Sequence, residues 1–208
     1  MSYLAALKGL INDTVIKVAR IDASTHTMQT IDYSHHEIHS GRMFKVDHSD
    51  TELAAAGEIG VLFTTHDSTR WGHVFCKVSC ATAANFEILE VPTLDTGNYP
   101  TTFYTIINRN RNKTATTSLM SSVRAAPVAN QASLKLAGNT TPISGDGTVV
   151  HSEALGGDKF TSAGVDRDNS EYVLKQNTTY YFRLLGDGSG AGGVASMQVA
   201  WYEHIDKD

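Results

Sequence analysis

From residue 35 onward, apolar and polar positions alternate in short runs, and a period of two predicts strands rather than helices. Val74, Cys76, Val78 and Cys80 fall on one side of such a run, with His73, Lys77 and Ser79 on the other. Tyr180, Phe182 and Leu184 oppose Thr179, Tyr181 and Arg183. Ala195, Met197, Val199 and Trp201 oppose Ser196, Gln198 and Tyr202. One-sided patterns of this kind mark antiparallel strands with one face on a core. The predicted strands are 37–46, 58–64, 72–80, 86–91, 102–108, 148–153, 172–175, 178–185 and 194–203. Nine short strands punctuated by turns predict an all-β fold, an antiparallel β-sandwich of jelly-roll type.

Residues 1–33 read differently, as an extended N-terminal arm ahead of a sandwich domain over 34–208. Leu4, Leu7, Leu10 and Ile11 are spaced for one or two helical turns, 14–21 reads as a strand, and 22–30 is a polar connector. Within the sandwich, 175–178 predicts a tight reversal. The glycine-rich 186–193 predicts a hairpin tip joining the last two strands, and 109–147 predicts long surface excursions.

Composition narrows the function. The 208 residues are 41% apolar and 19% charged, with much Thr, Ser, Asn and Gly, a mixture suited to strands and turns. A net charge of −5 leaves no broad basic footprint for nucleic acid. The one basic knot is Arg109, Arg111 and Lys113, set between Asn108, Asn110 and Asn112. No run approaches the roughly 18 apolar residues that span a membrane, and the start has neither the basic lead nor the cleavage site of a signal peptide. Cys76 and Cys80 on one strand would stand about 13 Å apart, beyond disulfide reach. Free thiols of this kind suit synthesis in a reducing cytosol.

The densest chemistry lies in Ser34-His-His-Glu-Ile-His-Ser-Gly41. If that segment is extended, His35, Glu37 and His39 share one face. With a further His from another strand (His66, His73 or His151) they would supply the three ligands of a catalytic metal site. The alternative is a hydrogen-bonding edge at a subunit contact, open to pH through its imidazoles. The contact reading is preferred, because the His/Glu order departs from the His-x-His pair of a cupin-like site. No Gly-x-Ser-x-Gly elbow is present, and the 186–193 loop lacks the Lys-Ser/Thr ending of a phosphate loop. Residues 166–171 offer oxygen ligands but not the Gly and Glu of a calcium loop. Trp71, Tyr99, Tyr104, Tyr181 and Tyr202 are candidates for stacking on sugars, Tyr181 especially, since it falls on the polar side of its strand.

Several segments resemble a family of tailed-bacteriophage virion structural proteins. They are residues 21–41 (Ile-Asp-Ala-Ser-Thr-His-Thr-Met-Gln-Thr-Ile-Asp-Tyr-Ser-His-His-Glu-Ile-His-Ser-Gly), Phe103 through Asn112, 171–180 and Trp201-Tyr-Glu-His204. The resemblance implies a β-rich, non-enzymatic particle component such as a capsid decoration (cement) protein, with no catalytic residues and no cofactor. Its implied partners are the major capsid protein and copies of itself as a dimer or trimer, without nucleic acid or membrane. Its implied place is the virion, on the phage head, after synthesis in the host cytoplasm. On that reading Ile21, Met28, Ile31, Tyr33, His35, His36, Glu37, His39, Arg109 and Arg111 form the capsid or subunit interface. The competing expectations are a tail or head-fibre carbohydrate-binding module and a cupin-like metalloprotein using His35, Glu37 and His39.

Overall fold

A computed structural model describes residues 33–95, 104–114, 116, 118–119, 133–134, 143–155, 161–164, 171–188 and 193–205. The chain divides into two compact units, Met1–His36 and Glu37–Asp208. The arm expectations at 1–32, including Ile21, Met28 and Ile31, lie outside the described residues.

The segment predicted to begin a strand at 37 is instead a helix, α1 (Tyr33–Ser40). Its end explains why. Gly41 takes a left-handed conformation, φ 80°. The Arg42 N–H bonds the Glu37 carbonyl at 2.8 Å and the Gly41 N–H bonds that of Ile38 at 3.1 Å, the paired closure of a helix on a C-terminal glycine. The strand begins only after this turn, as β1 (Met43–Leu53).

Twelve further strands follow: β2 (Glu58–Thr64), β3 (Arg70–Cys80), β4 (Ala84–Glu90), β5 (Thr93–Leu94), β6 (Ile107–Asn108), β7 (Ser133–Leu134), β8 (Ile143–Gly145), β9 (Thr148–Leu155), β10 (Thr161–Gly164), β11 (Tyr172–Val173), β12 (Thr179–Gly186) and β13 (Gly193–Ile205). One sheet runs β10-β3-β13-β1-β6, with β11 also on β3. The other runs β7-β2-β12-β4-β9, and β5 and β8 form a separate ribbon. Every pairing among them is antiparallel.

The alternation identified in the sequence sets the core. Cys76 stands opposite Val199, and Val78 opposite Met197. In the second sheet Phe182 is flanked by Val61 and Ile88, and Leu184 by Ile59 and Phe86. These residues of both sheets are buried in one continuous cluster, so the two sheets pack face to face. Burying such side chains contributes roughly 1.5–3 kcal/mol each relative to exposure.

Several connections between strands pass from one layer to the other, whereas β4 and β9 pair within one sheet. β1 and β3 lie in one sheet while β2 and β4 lie in its partner, and β11, β12 and β13 alternate in the same way. The 186–193 segment therefore crosses between sheets and does not close a hairpin: β12 pairs β2 and β4, whereas β13 pairs β1 and β3. The 175–178 reversal is likewise a corner, locked by Tyr180. Its hydroxyl accepts the Lys175 N–H at 3.0 Å and donates to Glu90 Oε2 at 2.8 Å. This is the logic of a tyrosine corner, in which a buried ring anchors the backbone a few residues upstream.

Tyr181 overturns its expectation. It is buried, because the outer face of its sheet is also covered: Tyr181, Leu62, Leu89 and Ile143 form a second apolar cluster with Leu94, and Leu94 and Ile143 belong to the β5–β8 ribbon. Within 109–147, predicted as surface excursions, the described residues include β7 and the whole of β8.

Candidate functional site

The C-terminal end of α1, the turn after β6 and the last residues of β13 meet at one edge of the first sheet. Asn108 organises the meeting. Its buried amide donates toward the carbonyls of Gly41 (2.9 Å), Lys113 (3.0 Å) and Thr116 (3.2 Å). Its Oδ1 accepts the Asn110 N–H at 2.8 Å, and Asn110 Oδ1 in turn accepts the Asn112 N–H at 3.0 Å. Asn110 also reaches α1, donating to the His39 carbonyl at 3.1 Å. These are side-chain-built turns, for which Asn is suited because it bonds the backbone two residues on. The alternating sequence is thereby sorted in space. Asn108 and Asn110 stitch the loop inward, while Arg109, Arg111 and Lys113 are exposed.

Beneath this loop lies a buried carboxylate. Glu203, 1% exposed, accepts the Ser118 hydroxyl at 2.6 Å and the Leu119 N–H at 2.8 Å on Oε1. Oε2 lies 3.9 Å from the Arg42 guanidinium. Burial holds its pKa above the ordinary carboxylate range, against the opposing pull of these donors. The Trp201 indole N–H donates to Ser118 at 3.2 Å, tying the network into the core.

The histidine segment separates on the helix. His35 and His39 are a helical turn apart and exposed, as is His36, whereas Glu37 is buried. Glu37 accepts the Ser40 hydroxyl at 2.9 Å and lies 3.5 Å from His204 Nδ1. The shared face expected of His35, Glu37 and His39 depends on an extended chain and is absent. The remaining candidates are spread over both sheets. His73 meets Glu171 at 2.6 Å and stacks on Tyr202 at 4.6 Å between ring centres, and the Tyr202 hydroxyl donates to the same Glu171 oxygen at 2.6 Å. His151 Nδ1 lies 3.1 Å from the Tyr172 hydroxyl. Among the described residues, no three His, Cys, Asp or Glu side chains are grouped to hold a metal ion.

The stacking candidates also part company. Trp71 is 40% exposed, while Tyr181 and Tyr202 are buried and Tyr104 is half-buried with its ring 5.4 Å from that of His48. Tyr99 lies outside the described residues. Burial pushes the Cys76 thiol far up, which suits packing and not nucleophilic chemistry. A cleft of about 400 Å³ opens over the second sheet, but its charges are mutually satisfied. Arg183 is held by Glu87 at 2.7 Å and Asp146 at 3.0 Å, and Glu58 accepts the Tyr181 hydroxyl at 2.9 Å.

The stitched loop was the feature least visible in the sequence. The Asn-Arg-Asn-Arg-Asn run signals a turn and a basic knot, but not which residues face inward. No helix among the described residues is long and apolar enough to cross a membrane. No family model matches the chain, and no curated protein or solved structure is detectably similar to it.

Proposed function

We propose that the chain is a non-enzymatic structural protein of a tailed-phage virion, a capsid decoration protein that binds the major capsid protein and its own copies and stabilises the head. The observation that carries this reading is the strand order. Taking β1, β2, β3, β4, β9, β10, β12 and β13 as the principal strands, the last lies between the first and third, with the sixth beyond the third. The seventh lies between the second and fourth, with the fifth beyond the fourth. That order supports a jelly-roll reading of the fold, an architecture frequent in viral capsid domains and lectins. It joins the resemblance of residues 21–41 and 103–112 to virion proteins.

Self-association is supported by β9. It ends its sheet among the described residues and carries Val149 at 49% and Val150 at 38% exposure. An edge strand with exposed valines offers backbone groups and apolar surface to another chain. A closed dimer or trimer covers such an edge and multiplies weak contacts with a repeating shell.

Location tests the proposal. Virions purified from the lysate in which this chain is made are labelled with antibody against residues 37–208. Gold on the heads supports the reading, and protein recovered only as a free species off the particles overturns it. A second reading, glycan adhesion, rests on the exposed Trp71. Selective binding on a glycan array that Trp71→Ala abolishes would replace the first.

A further inference from the structure

We infer that the loop from Asn108 to Lys113 is a rigid cationic tooth that docks on a carboxylate-rich face of a partner protein. The inference deepens the virion reading by naming the docking element and the chemistry it meets. Its first support is the division of labour in the loop. Asn108 and Asn110 spend their amides on the backbone of α1 and of the loop itself, so the cations between and after them are held outward. A loop fixed before binding loses little conformational freedom on docking.

The second support is the state of the cations. Arg42, Lys45, Lys175 and Arg183 all stand near carboxylates. Among the described residues Arg70 and Lys77 stand near none, and neither do Arg109, Arg111 and Lys113, which are set together in one loop. Arg109 Nη1 lies 3.2 Å from Met43 Sδ, and Lys113 Nζ reaches only the Ser40 carbonyl at 3.5 Å. Three uncompensated cations in five residues contrast with a chain whose net charge is −5.

The third support is a cleft of about 170 Å³ beside them, lined by Arg111, Thr114 and Thr116 over Phe44 and Ile106. It has room for one carboxylate side chain, with the Arg111 guanidinium as a planar fork to receive it. A protein carboxylate is favoured over nucleic acid phosphate. Three cations are too few to track a backbone, and the overall negative charge repels a long polyanion.

The probe is a fluorescent decaglutamate peptide, titrated with the whole chain at low and at physiological salt, beside a short DNA duplex. Binding to decaglutamate that weakens with salt is expected. The triple variant Arg109→Gln, Arg111→Gln, Lys113→Gln should weaken it about tenfold or more, the sum of three exposed charge contacts. Asn110→Ala changes no charge, so a drop there reports the stitching itself; thermal melting verifies that each variant is folded. Absence of binding, or a triple variant that binds like the parent, overturns the inference, and tighter binding to DNA overturns its choice of partner. Because the peptide assay needs no particle, it can succeed where antibody labelling of heads fails. Heads labelled equally by the triple variant would sink the tooth and leave the virion reading standing.

Discussion

Tyr181 of β12 lies over Gly60 of β2 so closely that a Cβ on the glycine would sit 2.4 Å from the ring's Cε2. The glycine is the seat of the ring, whose hydroxyl then reaches Glu58 at 2.9 Å. Gly60→Ala should force the ring off its seat and destabilise the fold by about 1–3 kcal/mol, the usual cost of overpacking. Urea denaturation measures it. The double variant with Tyr181→Leu should recover part of the loss, and no recovery would mean that the ring is not what the new methyl strikes.

Asn108 separates charge from shape. Asn108→Asp is nearly isosteric but turns an oxygen toward three carbonyls that now receive hydrogen bonds. It should cost more than Asn108→Ala, which leaves those carbonyls unpaired at roughly 1–3 kcal/mol. Equal melting temperatures for the two variants would show that the amide is not buried as a donor.

Glu203 gives a pH dependence of definite sign. Its folded-state pKa is raised by burial, so the folded chain holds this proton to higher pH than the unfolded chain. Its contribution to stability is full below the ordinary carboxylate pKa and falls as pH rises through the raised value. Glu203→Gln keeps an oxygen for Ser118 and Leu119 while removing that fall. The variant should therefore gain on the parent as pH rises above the ordinary carboxylate range. Glu203→Ala, which strands both donors, should lose about 2–3 kcal/mol. Denaturation curves of all three at several pH values decide the matter.

Glu90 behaves oppositely. The Lys175 ammonium, 2.6 Å from Oε1, and the Tyr180 hydroxyl hold its pKa below the ordinary range. Its contribution is present above the ordinary carboxylate pKa and disappears as pH falls through the depressed value. Glu90→Gln should flatten the acid limb of the melting curve. Tyr180→Phe should cost about 1–3 kcal/mol by leaving the Lys175 N–H without its acceptor, and somewhat more above the ordinary carboxylate pKa, where its hydroxyl also serves the Glu90 carboxylate. An acid limb unchanged in Glu90→Gln would exclude the pair as its source.

Strands with one wet and one dry face were legible from residue order alone. β2 runs from Glu58 to Thr64 as expected, and the residues assigned to the core side of β3 and β13 are buried, although at the end of β13 Tyr202, assigned to the other side, is buried as well. What failed had causes beyond a single segment. Tyr181 alternates as a solvent-facing residue should, yet a ribbon of two- and three-residue strands covers it, too short to register as a pattern. α1 spans only eight residues with little apolar bias, and its signals were confined to its ends: Asp32 just before and Gly41 just after. The partner of each strand across the layers is a property of topology, which local periodicity does not encode. The inward amides of 108–110 depend in part on the carbonyls of His39 and Gly41 at the end of α1 and just past it, so no reading of that loop by itself could orient its arginines.

Because β1, β2, β3 and β4 step from layer to layer, and β12 and β13 do so again, neither layer is a continuous length of polypeptide. One slab cannot condense early and await the other; both must close together, through contacts between distant parts of the chain. Such chains fold in roughly milliseconds to seconds, slower than helical proteins of like size. Once shut, the same weave works as a clasp: a protease that nicks a connecting segment would leave both fragments gripped by the strands on either side.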